Sequence, residues 1–164
     1  MAITYEPIAT TTAGSVTSVS FASIASTYTD LICVINGKPS GTSYLAIQFN
    51  DDNGGNFSNT HLYGNGSSAG SGRYTNLSGG AYLTYDYALS SGAPGTTIVQ
   101  IMNYSNTTTY KTFLARANST QYTAEATVGL WRSTSAINKV TIKLEPGGSN
   151  MNGMTFTLYG VKAA

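Results

Sequence analysis

Two stretches near the end of the chain alternate apolar and polar side chains without a break. One is Val140-Thr141-Ile142-Lys143-Leu144 and the other is Met154-Thr155-Phe156-Thr157-Leu158-Tyr159. A period of two in β-branched and aromatic residues marks a strand with one buried face. Between them lie Glu145-Pro146-Gly147-Gly148-Ser149-Asn150 and Met151-Asn152-Gly153, rich in turn formers. The pattern predicts a terminal hairpin. Val140, Ile142 and Leu144 would turn toward Phe156 and Leu158, and a second sheet would cover that face.

The same pattern, taken from the start of the chain, predicts the strands of that second sheet. Residues 5–12 form an extended segment, with Pro7 suited to an edge or a strand start. Residues 16–21 follow, with Thr17, Val19 and Phe21 on one face. The nearly continuous apolar run over 31–35 predicts a central strand buried on both faces. Gly37-Lys38-Pro39-Ser40-Gly41 then turns the chain into 44–49, a second expected hairpin. Residues 57–63 fit a strand, and the glycine–serine segment 64–72 predicts an exposed loop. Between 74 and 93 the signal is ambiguous: Tyr82, Leu83, Tyr85, Tyr87 and Leu89 fit a strand or a short helical turn. Strands over 96–104, 110–117 and 122–132 complete the set, and no window has helical periodicity. Short strands punctuated by turns predict an all-β chain, an antiparallel two-sheet β-sandwich of jelly-roll-like form, as one domain over 1–164.

Composition narrows the function classes. The chain has 164 residues, 41% of them hydrophobic, enough for one domain's core. Only 9% are charged, and eight basic against seven acidic residues leave a net charge of +1. Nothing in that balance points to nucleic acid or an anionic membrane. Weak long-range repulsion instead favours self-association. Cys33 is the only cysteine, so no disulfide forms within the chain, and its apolar neighbours predict a buried, reduced thiol. The segment Met1–Pro7 lacks the features of a signal peptide, and no apolar run has the length of a membrane span. Folding in a reducing cytosol is the expectation.

Motifs that carry chemistry find little support. Gly66-Ser67-Ser68-Ala69-Gly70 matches the nucleophile-elbow string, but no strand-to-helix context surrounds it and His61 precedes it. Asp51, Asp52, Asn53 and Asn56 make an oxygen-rich cluster of the sort calcium favours. Its spacing fails the EF-hand pattern, and an Asx-rich turn explains it without metal. His61, the only histidine, is expected on the surface of a strand, and with one cysteine it makes no zinc site. No catalytic, cofactor-binding or metal-binding residue is therefore assigned, and the chain is not expected to be an enzyme. Twelve tyrosines and Trp131 suit either subunit-interface packing or a sugar-binding surface, with interface packing preferred.

Five stretches together carry a resemblance. They are Ser26-Thr27-Tyr28-Thr29-Asp30-Leu31; Ile47-Gln48-Phe49-Asn50-Asp51; Asn103-Tyr104-Ser105-Asn106-Thr107; Trp131-Arg132-Ser133-Thr134 with Ala136-Ile137; and Phe156-Thr157-Leu158-Tyr159-Gly160-Val161. Their order and spacing resemble small virion structural proteins of tailed bacteriophages. The resemblance implies a jelly-roll-like sandwich, a homotrimer, and a place in the virion after assembly in the host cytoplasm. With no stalk in the sequence, it implies a capsid decoration (cement) protein whose partner is the major capsid protein. A tail- or fibre-associated protein binding host-surface glycans is the alternative.

Overall fold

The computed structural model describes residues 4–85, 89, 91–121, 123–145 and 149–162. Expectations at Met1–Ile3, Asp86, Tyr87, Tyr122 and Pro146–Gly148 lie outside these residues. In chain order the strands are β1 (Tyr5–Thr12), β2 (Ser18–Phe21), β3 (Asp30–Gly37), β4 (Tyr44–Phe49), β5 (Phe57–Gly64) and β6 (Ala69–Leu77). They continue with β7 (Ala81–Tyr82), β8 (Gly95–Met102), β9 (Lys111–Ser119), β10 (Ala124–Trp131), β11 (Val140–Glu145) and β12 (Thr155–Val161). An eight-stranded sheet runs β1-β12-β3-β8-β9-β10-β5-β6, and a four-stranded sheet runs β2-β11-β4-β7. All pairings are antiparallel. The result is the all-β, jelly-roll-like sandwich that the alternation predicts.

Alternation determined the buried faces correctly. Val140, Ile142 and Leu144 are buried, as are Phe156 and Leu158. The hydrogen-bonding partners differ from expectation. β11 pairs with β2 and β4 in the small sheet, whereas β12 pairs with β1 and β3 in the large one. The predicted terminal hairpin is thus an arch that crosses between layers, and its two apolar faces meet across the sandwich. The predicted hairpin of 31–35 with 44–49 is an arch of the same kind, since β3 and β4 lie in different sheets. Apolar faces drive burial without specifying a ladder partner, so either arrangement satisfies the same pattern. The hairpins observed are β5–β6, β8–β9 and β9–β10.

Two further expectations change. β3 is central, but only one face is fully buried: Leu31, Cys33 and Ile35 point inward, while Ile32 and Val34 are half-buried on the outer face. Segment 64–72 is not one loop. Asn65 caps a tight turn, its Oδ1 accepting from the Ser67 and Ser68 amides at 3.0 and 2.8 Å, and β6 begins at Ala69. Ser67 therefore sits at a hairpin tip. Pro7 lies on the edge strand β1 at a register shift between Pro7 and Ala9, both settings that tolerate proline.

The core fills the space between the sheets. Phe49 packs against Phe57, Phe113 and Trp131 at centroid distances of 6.1, 6.1 and 5.6 Å. Trp131 is a core residue, and its Nε1 donates to Asp52 Oδ2 at 2.7 Å. The oxygen-rich cluster thus has a structural task. Asp52 also accepts from Asn56 Nδ2 at 2.9 Å and from the Gly54 amide at 2.8 Å. Asp51 forms an ion pair with Lys139 at 2.8 Å, and Asn50 ties the loop to residues 136–139. Burial raises the Asp52 pKa, but the three hydrogen bonds together outweigh it and hold the carboxyl below its ordinary value.

Candidate functional site

The inner face of the large sheet changes character along a single register row. Across the strands this row reads Leu158, Cys33, Val99, Ala115, Thr127, His61 and Gly72. The next row reads Phe156, Ile35, Thr97, Ala117, Glu125, Tyr63 and Gly70. Both run from apolar at β12 and β3 to polar or aromatic at β10 and β5, and end in glycine at β6. The reason lies in the other sheet. Its last strand, β7, has two residues and packs against β5 and β10, so β6 extends beyond the cover.

Tyrosines gather at that uncovered end. His61 is buried at 2% exposure, which corrects the expectation of a surface histidine. Its ring lies 4.3 Å from Tyr85, 6.0 Å from Tyr74 and 6.1 Å from Tyr63. Tyr74 meets Tyr82 edge-on at 5.1 Å, and Tyr44 stacks on Tyr85 at 5.8 Å. The five tyrosines are each half-buried. The glycines of β6 make room for this arrangement. A Cβ on Gly72 would stand 2.7 Å from the His61 ring, and one on Gly70 would stand 2.6 Å from the Tyr63 ring. What looks like low complexity in the sequence is the clearance that lets two rings lie over the edge strand.

Buried polar groups hold the segment that follows β7. Glu125, on the inner face of β10, accepts the Tyr85 amide at 2.6 Å through Oε2 and the Thr123 hydroxyl at 3.3 Å through Oε1. Thr127 Oγ1 donates to the Leu83 carbonyl at 3.2 Å, and Thr84 Oγ1 accepts the Leu45 amide at 2.9 Å. Tyr85 is thereby held over His61. A cleft of about 250 Å³ opens between His61, Tyr63, Arg73, Tyr74 and Tyr85. Burial, reinforced by the hydrogen bond and charge of Tyr85, pushes the Tyr74 phenol well above its ordinary range, so it stays protonated.

Chemically, the cleft offers flat aromatic faces, phenol hydroxyls, an imidazole and a guanidinium at its rim. Aromatic bodies with polar tips suit a ligand having one apolar and one hydroxylated side. Sequence reasoning missed His61 as a buried residue and Glu125 as the anchor of Tyr85, because both depend on how β5, β10 and the chain after β7 come together. Their signal was faint: His61 shares its alternation phase with Phe57 and Asn59, which are also buried. Among the described residues, no group of three or more His, Cys, Asp or Glu side chains stands together to hold a metal. No helix among them is long and apolar enough to cross a membrane.

No family model matches the chain, and no curated protein matches it. Solved structures of similar outline include an exo-inulinase from Aspergillus awamori, with TM-score 0.44 and 14% identity over 96% of this chain and 29% of that one. Another is a tail fibre protein of an E. coli phage, with TM-score 0.31 and 15% identity over 84% of this chain and 16% of that one. A third is a toad ovary galectin in complex with thio-digalactose, with TM-score 0.29 and 8% identity over 78% of this chain and 99% of that one. The chain spans less than a third of the inulinase. These are distant likenesses to β-sandwich domains of the concanavalin-like and jelly-roll kind, and they concern shape alone.

Proposed function

We propose that this chain is a carbohydrate-binding structural protein of a tailed-phage virion, with an oligosaccharide seated against His61, Tyr63, Tyr74 and Tyr85. The virion setting comes from the sequence resemblance. The binding role rests on one observation: the end of the inner face beside β6 carries half-buried tyrosines ordered around a buried histidine, with an open cleft between them. Closing a core calls only for apolar bulk, which phenylalanine and leucine supply elsewhere on the same face. The protein binds without turnover. A microarray of bacterial surface polysaccharides tests this, followed by titration of the hits with Tyr63→Ala and Tyr85→Ala. Binding lost in both variants, with the fold retained, is the expected result. Binding by both variants at the unaltered protein's affinity, absence of any glycan hit, or appearance of cleaved product contradicts the proposal.

Capsid decoration is the second reading, and the exposed apolar outer face of the large sheet favours it, because such a face suits contact with protein. Copy number separates the two. A cement protein approaches the coat protein in abundance in purified particles, whereas a tail protein is present in few copies.

A further inference from the structure

The outer face of the large sheet carries large apolar side chains where solvent would ordinarily meet polar ones. Leu62, Leu114 and Val128 are exposed at 60%, 37% and 56%, and Ile32, Val34 and Ile98 stand half-buried beside them. Register puts these six on two adjacent rows. One row contains Ile32, Gln100, Leu114, Val128 and Thr60; the other contains Val34, Ile98, Arg116, Ala126 and Leu62. The small residues Ala124 and Ala126 help open a groove of about 560 Å³ in this face, and a second of about 670 Å³ runs beside Thr60, Thr112 and Val128.

We propose that a second copy of this chain covers this face, through a two-fold contact between the two large sheets. Area is the first argument. Eight strands at about 4.8 Å spacing and about 27 Å length present on the order of 1,000 Å² of face. A stable interface takes about 800 Å² from each partner.

Charge is the second argument. Arg116 and Asp30 both stand on this face, two strands and two rows apart, with Gln100 midway between them. A two-fold axis lying in the face and passing over Gln100, at right angles to the line joining them, exchanges the two positions. Arg116 of each copy then meets Asp30 of the other, so one rotation makes two ion pairs. The same rotation brings Leu114 and Val128 of each copy against the partner's outer face, as an isologous contact requires.

Sedimentation equilibrium of the purified protein from about 1 to 100 µM is the test, with circular dichroism to check folding. A dimer is expected, with Val128→Asp shifting it to monomer while the fold persists, since that side chain is exposed. Arg116→Asp should weaken the dimer at least about tenfold, and adding Asp30→Arg should restore it. A monomer or a trimer for the unaltered protein, a dimer that Val128→Asp leaves intact, or failure of the charge exchange to restore association overturns the proposal.

Discussion

The two ends of the inner face of the large sheet obey the same alternation and end in different chemistry. At β12 and β3 the inward side chains are Phe156, Leu158, Cys33 and Ile35, all dry beneath the small sheet. At β5 they are His61 and Tyr63, met by Tyr85 from the chain after β7, and among the described residues the two-residue β7 is the only strand of the small sheet that reaches them. Both ends are well packed. What separates them is the hydroxyl: a ring that is covered on both sides loses its water and favours phenylalanine, whereas a ring with one open side can keep a phenol in contact with solvent. At this end half-buried tyrosine therefore marks where the covering layer ends, whereas fully buried Tyr104 keeps its phenol by donating to the Ala25 carbonyl.

The largest expected effect belongs to the dry end. Phe156→Ala removes a fully buried ring and should destabilise the protein by about 3–5 kcal/mol. Urea denaturation measures this, and a loss below about 1 kcal/mol would mean that the end is not dry. Between the extremes lies the Trp131–Asp52 contact. Asp52→Asn keeps the shape and weakens the charge-assisted bond, so a loss on the order of 1 kcal/mol at neutral pH is expected, reduced by solvent screening.

That contact also sets a pH dependence with a definite sign. The folded carboxyl titrates below its ordinary value of 3.8, so between the two values the unfolded chain binds more protons. The contribution is fully present above the ordinary value and is lost as pH falls through the folded one. Acid titration of stability should be shallower in Asp52→Asn, and an unchanged slope would sever the link. The smallest effect is kinetic. Burial pushes the Cys33 thiol up to about 12, so the native protein should resist a thiol reagent at pH 8 and react only when unfolded. Labelling as fast as a free thiol would place Cys33 at an opening rather than at the dry end.

Much of this contrast was visible in the sequence as faces and little of it as neighbours. The alternation at 140–144 and 154–159 identified the buried side chains, because burial depends on local period alone. Their assignment to one hairpin failed because an arch and a hairpin bury the same residues. Gly70 and Gly72 looked like loop, since nothing local records that the His61 and Tyr63 rings lie over them. The twelve tyrosines were legible as either interface or sugar surface. Choosing between these required knowing where β7 ends. Asp52 was legible as a turn residue, but its bond to Trp131 spans 79 positions and leaves no local trace.

Tyr85→Ala, compared with the unaltered protein for both oligosaccharide affinity and denaturant midpoint, tests the contrast most directly. At least a tenfold loss of affinity, about 1.4 kcal/mol, is expected for an oligosaccharide found on the array, with a stability loss of no more than about 1 kcal/mol. A variant that binds the sugar unchanged but unfolds as readily as Phe156→Ala would make the tyrosine end ordinary core and contradict the account.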